Sequence, residues 1–199
     1  YDAFVMTEMV EIRDAIRYFD SWRYLLNWAE LARGANPAIR LYLYETWHQL
    51  DDPEGWLERL DRDFGRYWER EILRPALPAS EAARPIFVIP AGQVLARFVR
   101  RLDALGGVEG LRSREDLFAR KPDGSLDTIH LNDLGNYLVA LTHFAVLYHR
   151  DPAGAPRELR RADGTPATPP SAEAAALMQE TVWQVVPAIP LTGVAKRAA

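Results

Sequence analysis

The chain is predicted to fold as an α/β protein around a parallel sheet, and three observations predict it. Three short runs rich in apolar, β-branched and aromatic residues read as strands covered on both faces: AFVMT at Ala3–Thr7, IRLYLY at Ile39–Tyr44 and IFVI at Ile86–Ile89. Helical patterns separate them, so the connections are crossovers between parallel strands. The 199 residues are 48% hydrophobic and 26% charged, the mixture of one globular domain spanning 1–199.

In chain order, the first strand ends at Thr7, and one or two helical turns follow over Glu11–Tyr18. Asp20 or Ser21 caps the next helix. Its inner face is Trp22, Leu25, Leu26 and Ala29, and Gly34 and Pro37 end it. The second strand closes on Glu45, Thr46, Trp47 and His48. Asp52 as cap and Pro53 at the first helical position open a third helix. Trp56, Leu60, Phe64 (or Asp63), Tyr67 and Trp68 give it an apolar stripe, and it ends before Pro75. After the third strand a helix runs from about Gln93 to Leu105 and breaks at Gly106-Gly107. Val108–Ser125 reads as polar loop with one helical turn at REDLFA. A helix from about Asn132 to His149 follows, then a surface loop over Asp151–Pro170 and a last helix capped by Ser171. The tryptophans Trp22, Trp28, Trp56 and Trp68 read as core and helix-packing residues.

Several classes are set aside. A net charge of −4 lacks the basic footprint of a nucleic-acid binder. With no cysteine there is no disulfide, thiolate metal site or cysteine nucleophile. No apolar run approaches the roughly 20 residues of a membrane span. The opening YDAFVMTEMV shows no signal peptide and reads like the interior of a domain, so an incomplete N-terminus is expected. The compartment is not legible. A lone three-stranded sheet would leave Ala3–Thr7 as an apolar edge, so further strands, from a preceding segment or another chain, are expected to cover it.

In parallel sheets ligands gather at the carboxyl ends of the strands. Thr7-Glu8, Glu45-Thr46-Trp47-His48 and the segment leading to Asp127 and His130 should meet there. The three-residue spacing of Asp127 and His130 lets the carboxylate reach Nδ1–H, fix the tautomer and leave Nε2 to take a proton. In the competing reading Asp127 only caps a helix and His130 only starts it. Glu8 is either a ligand for substrate hydroxyls or a helix-start acid. Trp47 beside Glu45 suits the face and hydroxyls of a sugar, whereas in the structural alternative Trp47 covers the core and His48 is solvated.

The stretch DTIHLNDLGNYLVALTHFAVLY resembles the last motif block of the SGNH (GDSL-like) hydrolases, an Asp-x-x-His followed by a glycine and the closing helix. YDAFVMTE, IRLYLYETW and RPIFVIPAGQVLARF are similar to that family's third, fourth and fifth strands, so the resemblance covers Asp2 to about Tyr148. It implies a three-layer α/β/α, flavodoxin-like sandwich with a five-stranded parallel sheet. It also implies an ester hydrolase with His130 as general base and Asp127 as its orienting acid. Glu8, Glu45, Trp47 and His48 would line the substrate pocket, and no metal or organic cofactor is implied. The substrate would be a small-molecule or carbohydrate ester, or a lipid ester.

The chain departs from the family at two points. No Gly-Asp-Ser block is present, and Ser21, Ser80, Ser113, Ser125 and Ser171 sit at caps or in loops, so the serine lies outside this chain and the chain alone is expected to be inactive. MTEM puts Glu8 where the family has an asparagine donor to the oxyanion, and a carboxylate there repels negative charge. Two rival functions follow. One is a non-catalytic binding module on the same fold; the other is a metal-assisted hydrolase using His130 and His48.

Overall fold

The computed structural model describes residues 1–77 and 85–195; Ser80 lies outside them. Three parallel strands, β1 (Ala3–Thr7), β2 (Arg40–Glu45) and β3 (Ile86–Pro90), form one sheet in the order β1-β2-β3. Ala3 pairs with Arg40 and Leu41 with Ile86. Side chains alternate across the pleat, and that alternation builds two cores. Leu41, Leu43, Ile86 and Val88 enter one, where they meet Ile12 and Ala15 of α1 (Ile12–Phe19) and Leu25 and Ala29 of α2 (Ser21–Ala35). Tyr42 and Ile89 enter the other, with Val94 and Phe98 of α4 (Ala91–Leu105), Leu138 of α5 (Asp133–Tyr148) and Met178 of α6 (Ala172–Val185). The expected α/β class and parallel sheet are thus present, with helices on both faces.

Four local expectations change. The third helix, α3 (Trp56–Asp63), begins after Gly55 rather than at Asp52 and Pro53. Gly55 has φ +86°, a left-handed conformation open to glycine, and Asp52 accepts the Glu54 N–H in the turn before the helix with one oxygen and Arg59 with the other. The helix then widens into a π-helix over Phe64–Leu73, with Arg74 N–H donating to the Glu69 carbonyl five residues back. Trp68, Ile72 and Leu73 all reach the core from this wider turn. The stretch read as loop contains a hairpin: β4 (Phe118–Arg120) pairs antiparallel with β5 (Leu126–Leu131), with an irregularity between Phe118 and Arg120. Asp127 and His130 therefore stand on a strand. Finally, Trp56 and Trp68 are core residues, but Trp28 is exposed.

β1 is the sheet edge, and among the described residues no strand pairs along its outer side. Its apolar side chains are only partly covered. Tyr24, Trp28 and Leu31, spaced by four and three residues on α2, are exposed as well. None of the described helices is long and apolar enough to cross a membrane.

Candidate active site

The segment Asp127–His130 is held from two sides. On one, β5 pairs with β4, and Asn132 fixes its end: the Asn132 N–H donates to the Leu117 carbonyl at 2.9 Å, and Nδ2 donates to the Asp116 carbonyl at 2.7 Å. On the other, the loop after β2 lies alongside. Leu50 N–H donates to the Thr128 carbonyl at 2.8 Å, and the Trp47 indole N–H donates to the Ile129 carbonyl at 2.7 Å. The hairpin is thereby docked at the carboxyl end of the central strand. Asn132 also caps α5, its Oδ1 accepting from Leu134 and Gly135 N–H.

His130 Nδ1 lies 2.8 Å from Asp127 Oδ2. The other carboxylate oxygen, Oδ1, accepts the backbone N–H groups of Ile129 and His130, each at 2.9 Å. These donors, the His130 N–H foremost and the imidazole after them, hold the Asp127 carboxyl well below the usual carboxylate range. The acid is fixed as an anion with its orientation set by backbone, and the imidazole side chain is 76% exposed. A carboxylate on Nδ1 selects the tautomer whose Nε2 carries a lone pair.

The other sequence-selected residues divide. Trp47 is brought to the pair through its bond to Ile129. Glu8 stands past the tip of β1, beside β2. It borders a groove of about 120 Å³ shared with Thr7, Tyr24 and Trp28, and Thr7 Oγ1 donates to the Tyr44 carbonyl. Glu45 and His48 face the interior instead of a pocket. The Glu45 carboxylate accepts the backbone N–H of Gln93 at 3.2 Å and its side-chain amide at 2.9 Å, which ties β2 to the start of α4. Burial pushes its pKa up to about 8, against the pull of those donors. A Cβ at Gly92 would lie 2.4 Å from both Glu45 Oε1 and the Thr46 carbonyl, so glycine is required for this approach.

His48 Nε2 lies 3.3 Å from Asp63 Oδ2, in a buried ionic cluster. Arg59 is its centre, donating to Asp63 at 2.8 Å, Asp52 at 2.6 Å and Glu11 at 3.0 Å. Arg13 adds to it by bonding Glu11 and Glu54. Burial, with the Arg59 charge second, lowers the His48 pKa and keeps the ring neutral, and Nδ1 is buried with no partner among the described residues. The Arg59–Asp63 spacing of four residues was readable as a helical ion pair, but nothing local to it signals Glu11, 48 residues away. Among the described residues no group of three or more His, Asp or Glu side chains could hold a metal ion.

Comparison with protein-family models, curated proteins and solved structures finds no significant match to the chain.

Proposed function

We propose that the chain is the part of an SGNH-type serine ester hydrolase, on a three-layer flavodoxin-like sandwich, that carries the general base and its orienting acid. The observation that carries this reading is the 2.8 Å contact of His130 Nδ1 with a carboxylate pinned by two backbone N–H groups, on an imidazole otherwise open to solvent. A base on a serine hydroxyl needs this arrangement, because the hydroxyl is almost un-ionised at neutral pH. The nucleophile comes from outside these residues. Of the described serines, Ser21 is buried at the start of α2, Ser113 and Ser171 cap helical turns, and Ser125 donates to Asp123. The open edge of β1 supports completion of the sheet by further strands, from the same polypeptide or another chain.

In the reaction, the serine oxygen attacks the ester carbonyl while His130 Nε2 takes its proton. The imidazolium, stabilised by Asp127, returns that proton to the departing alcohol, and water repeats the cycle on the acyl-enzyme. Trp47 stands beside the pair through its bond to Ile129, and its indole suits the apolar face of a carbohydrate or other small ester. Glu8 lies apart from it, past the tip of β1 in the groove with Thr7, Tyr24 and Trp28. Glu8 favours a second reading, a binding module without turnover, because its carboxylate stands at the strand tip where an oxyanion donor is needed.

The test is turnover of p-nitrophenyl acetate by the natural polypeptide containing this chain. His130→Ala should remove most of it and Asp127→Asn a smaller part, with a fluorophosphonate labelling one serine. Unchanged turnover in His130→Ala would overturn the proposal, and saturable sugar-ester binding without turnover would establish the binding module.

A further inference from the structure

We infer that the cavity beneath the 157–168 hairpin is a binding site for a small amphipathic organic anion, a carboxylate on an apolar body. The hairpin closes through Arg161 N–H to the Thr165 carbonyl (2.8 Å) and Ala167 N–H to the Leu159 carbonyl (3.0 Å). It is clamped onto the first turn of α5: the Arg161 guanidinium bonds both oxygens of Asp133 at 3.0 and 2.6 Å, and Thr168 N–H donates to the same carboxylate at 2.7 Å. Between the hairpin and the helix lies a cavity of about 340 Å³. That volume falls at the lower end of the range that holds small organic ligands.

Its lining has two parts. Tyr137, Ala140 and Pro170 give an apolar floor, and Tyr137 is buried to 4% exposure with its hydroxyl accepting from Gln179. Arg157, Arg160 and Arg161 stand around it. Among the lining residues three guanidinium groups stand against one carboxylate, Asp133, with Asp163 in the hairpin turn also acting on Arg161, in a chain whose net charge is −4. Arg161 is committed to Asp133. Arg157 gives one N–H to the Pro170 carbonyl and Arg160 one to the Gly164 carbonyl. A guanidinium has five N–H donors in a planar fork that fits a carboxylate. These two arginines are therefore held in place by the backbone and keep donors for a ligand. An apolar body on the floor with its anionic group at the arginines satisfies both halves of the site.

The site stands independently of the hydrolase reading, although His130 and Asp133 are three residues apart, at most about 11 Å along the chain. The test is calorimetric titration of the chain with 2-naphthoate, the neutral 2-naphthalenemethanol and inorganic phosphate. Saturable 1:1 binding of naphthoate is expected, at least about tenfold tighter than either comparator. Arg160→Gln and Arg157→Gln should each weaken it by about tenfold. Ala140 is on the exposed side of α5, so Ala140→Phe should fill the cavity and abolish binding with an unchanged circular dichroism spectrum. Equal binding of the neutral alcohol or of phosphate, binding that survives Ala140→Phe, or no saturable binding to the wild-type chain would each overturn the inference. None of these readouts depends on ester turnover.

Discussion

Among the described residues two histidines each pair with an aspartate, and their surroundings give the pairs opposite characters. His130 and Asp127 are 2.8 Å apart at the rim of the sheet, with the imidazole 76% exposed. His48 and Asp63 are 3.3 Å apart in the interior, and the Asp63 carboxylate already serves Arg59 and Arg62. In the first pair the acid is oriented by backbone N–H groups and acts on one imidazole that stands open to solvent. In the second, burial and a neighbouring guanidinium oppose protonation of the ring. Residue type is the same in both. Access and competing cations set the two apart, and only the exposed pair fits the proton transfer proposed above.

The widest separation between the two pairs should come from alanine at each histidine. In the natural polypeptide containing this chain, His130→Ala should lower ester turnover by roughly 100- to 10,000-fold with little change in unfolding midpoint. His48→Ala should leave turnover per folded molecule near wild type while lowering stability by about 1–3 kcal/mol in urea. Turnover lost equally in both would end the distinction. Next in size, Arg59→Met removes the cation that Asp63, Asp52 and Glu11 share and leaves the fully buried Asp63 with Arg62 and Glu11 with Arg13. A loss of about 3 kcal/mol is expected at pH 7 by urea denaturation, the lower end of the cost of removing one partner from a buried ion pair.

Glu45 supplies a smaller effect with a sign. Its folded pKa of about 8 lies above the ordinary 4.5, so between these values the folded chain binds a proton that the unfolded chain has released. Stability from this group is therefore full below about pH 4.5 and declines as pH rises to about 8. Glu45→Gln should flatten that decline, a difference on the order of a few kcal/mol by pH 9. A pH-stability profile parallel to wild type would show that Glu45 is ionised in the fold. The smallest effect belongs to Trp47→Phe, which removes the donor to the Ile129 carbonyl and should cost about 1 kcal/mol. Amide exchange would register it as faster opening of the 126–131 strand.

What could be read from sequence depended on how local its cause is. The three sheet strands announce themselves as apolar runs, and the helix ends at Gly106 and Ser171 as a left-handed glycine and a side-chain cap. Asp127 and His130 were legible because their contact spans three residues. The β4–β5 hairpin was not: LDTIHL does not sort apolar from polar residues by face, and β4 is three residues long and irregular. The π-helix gave no warning because its apolar stripe also satisfies the α period. Glu45 and His48 were misplaced for a different reason. Their positions at and just past the end of β2 fix which end of the sheet they occupy, but their directions depend on Gln93 and Asp63, 48 and 15 residues further along.

Position 92 shows how packing can be mistaken for chemistry. A methyl group there would collide with Glu45 and with the backbone of Thr46, the residue before the tryptophan that braces the histidine strand. Even alanine would have to push that brace aside. Under the proposed hydrolase reading, a saturation screen scored on turnover would therefore make Gly92 look like a mechanistic residue for reasons of packing alone, and a parallel measurement of folding would tell the two apart.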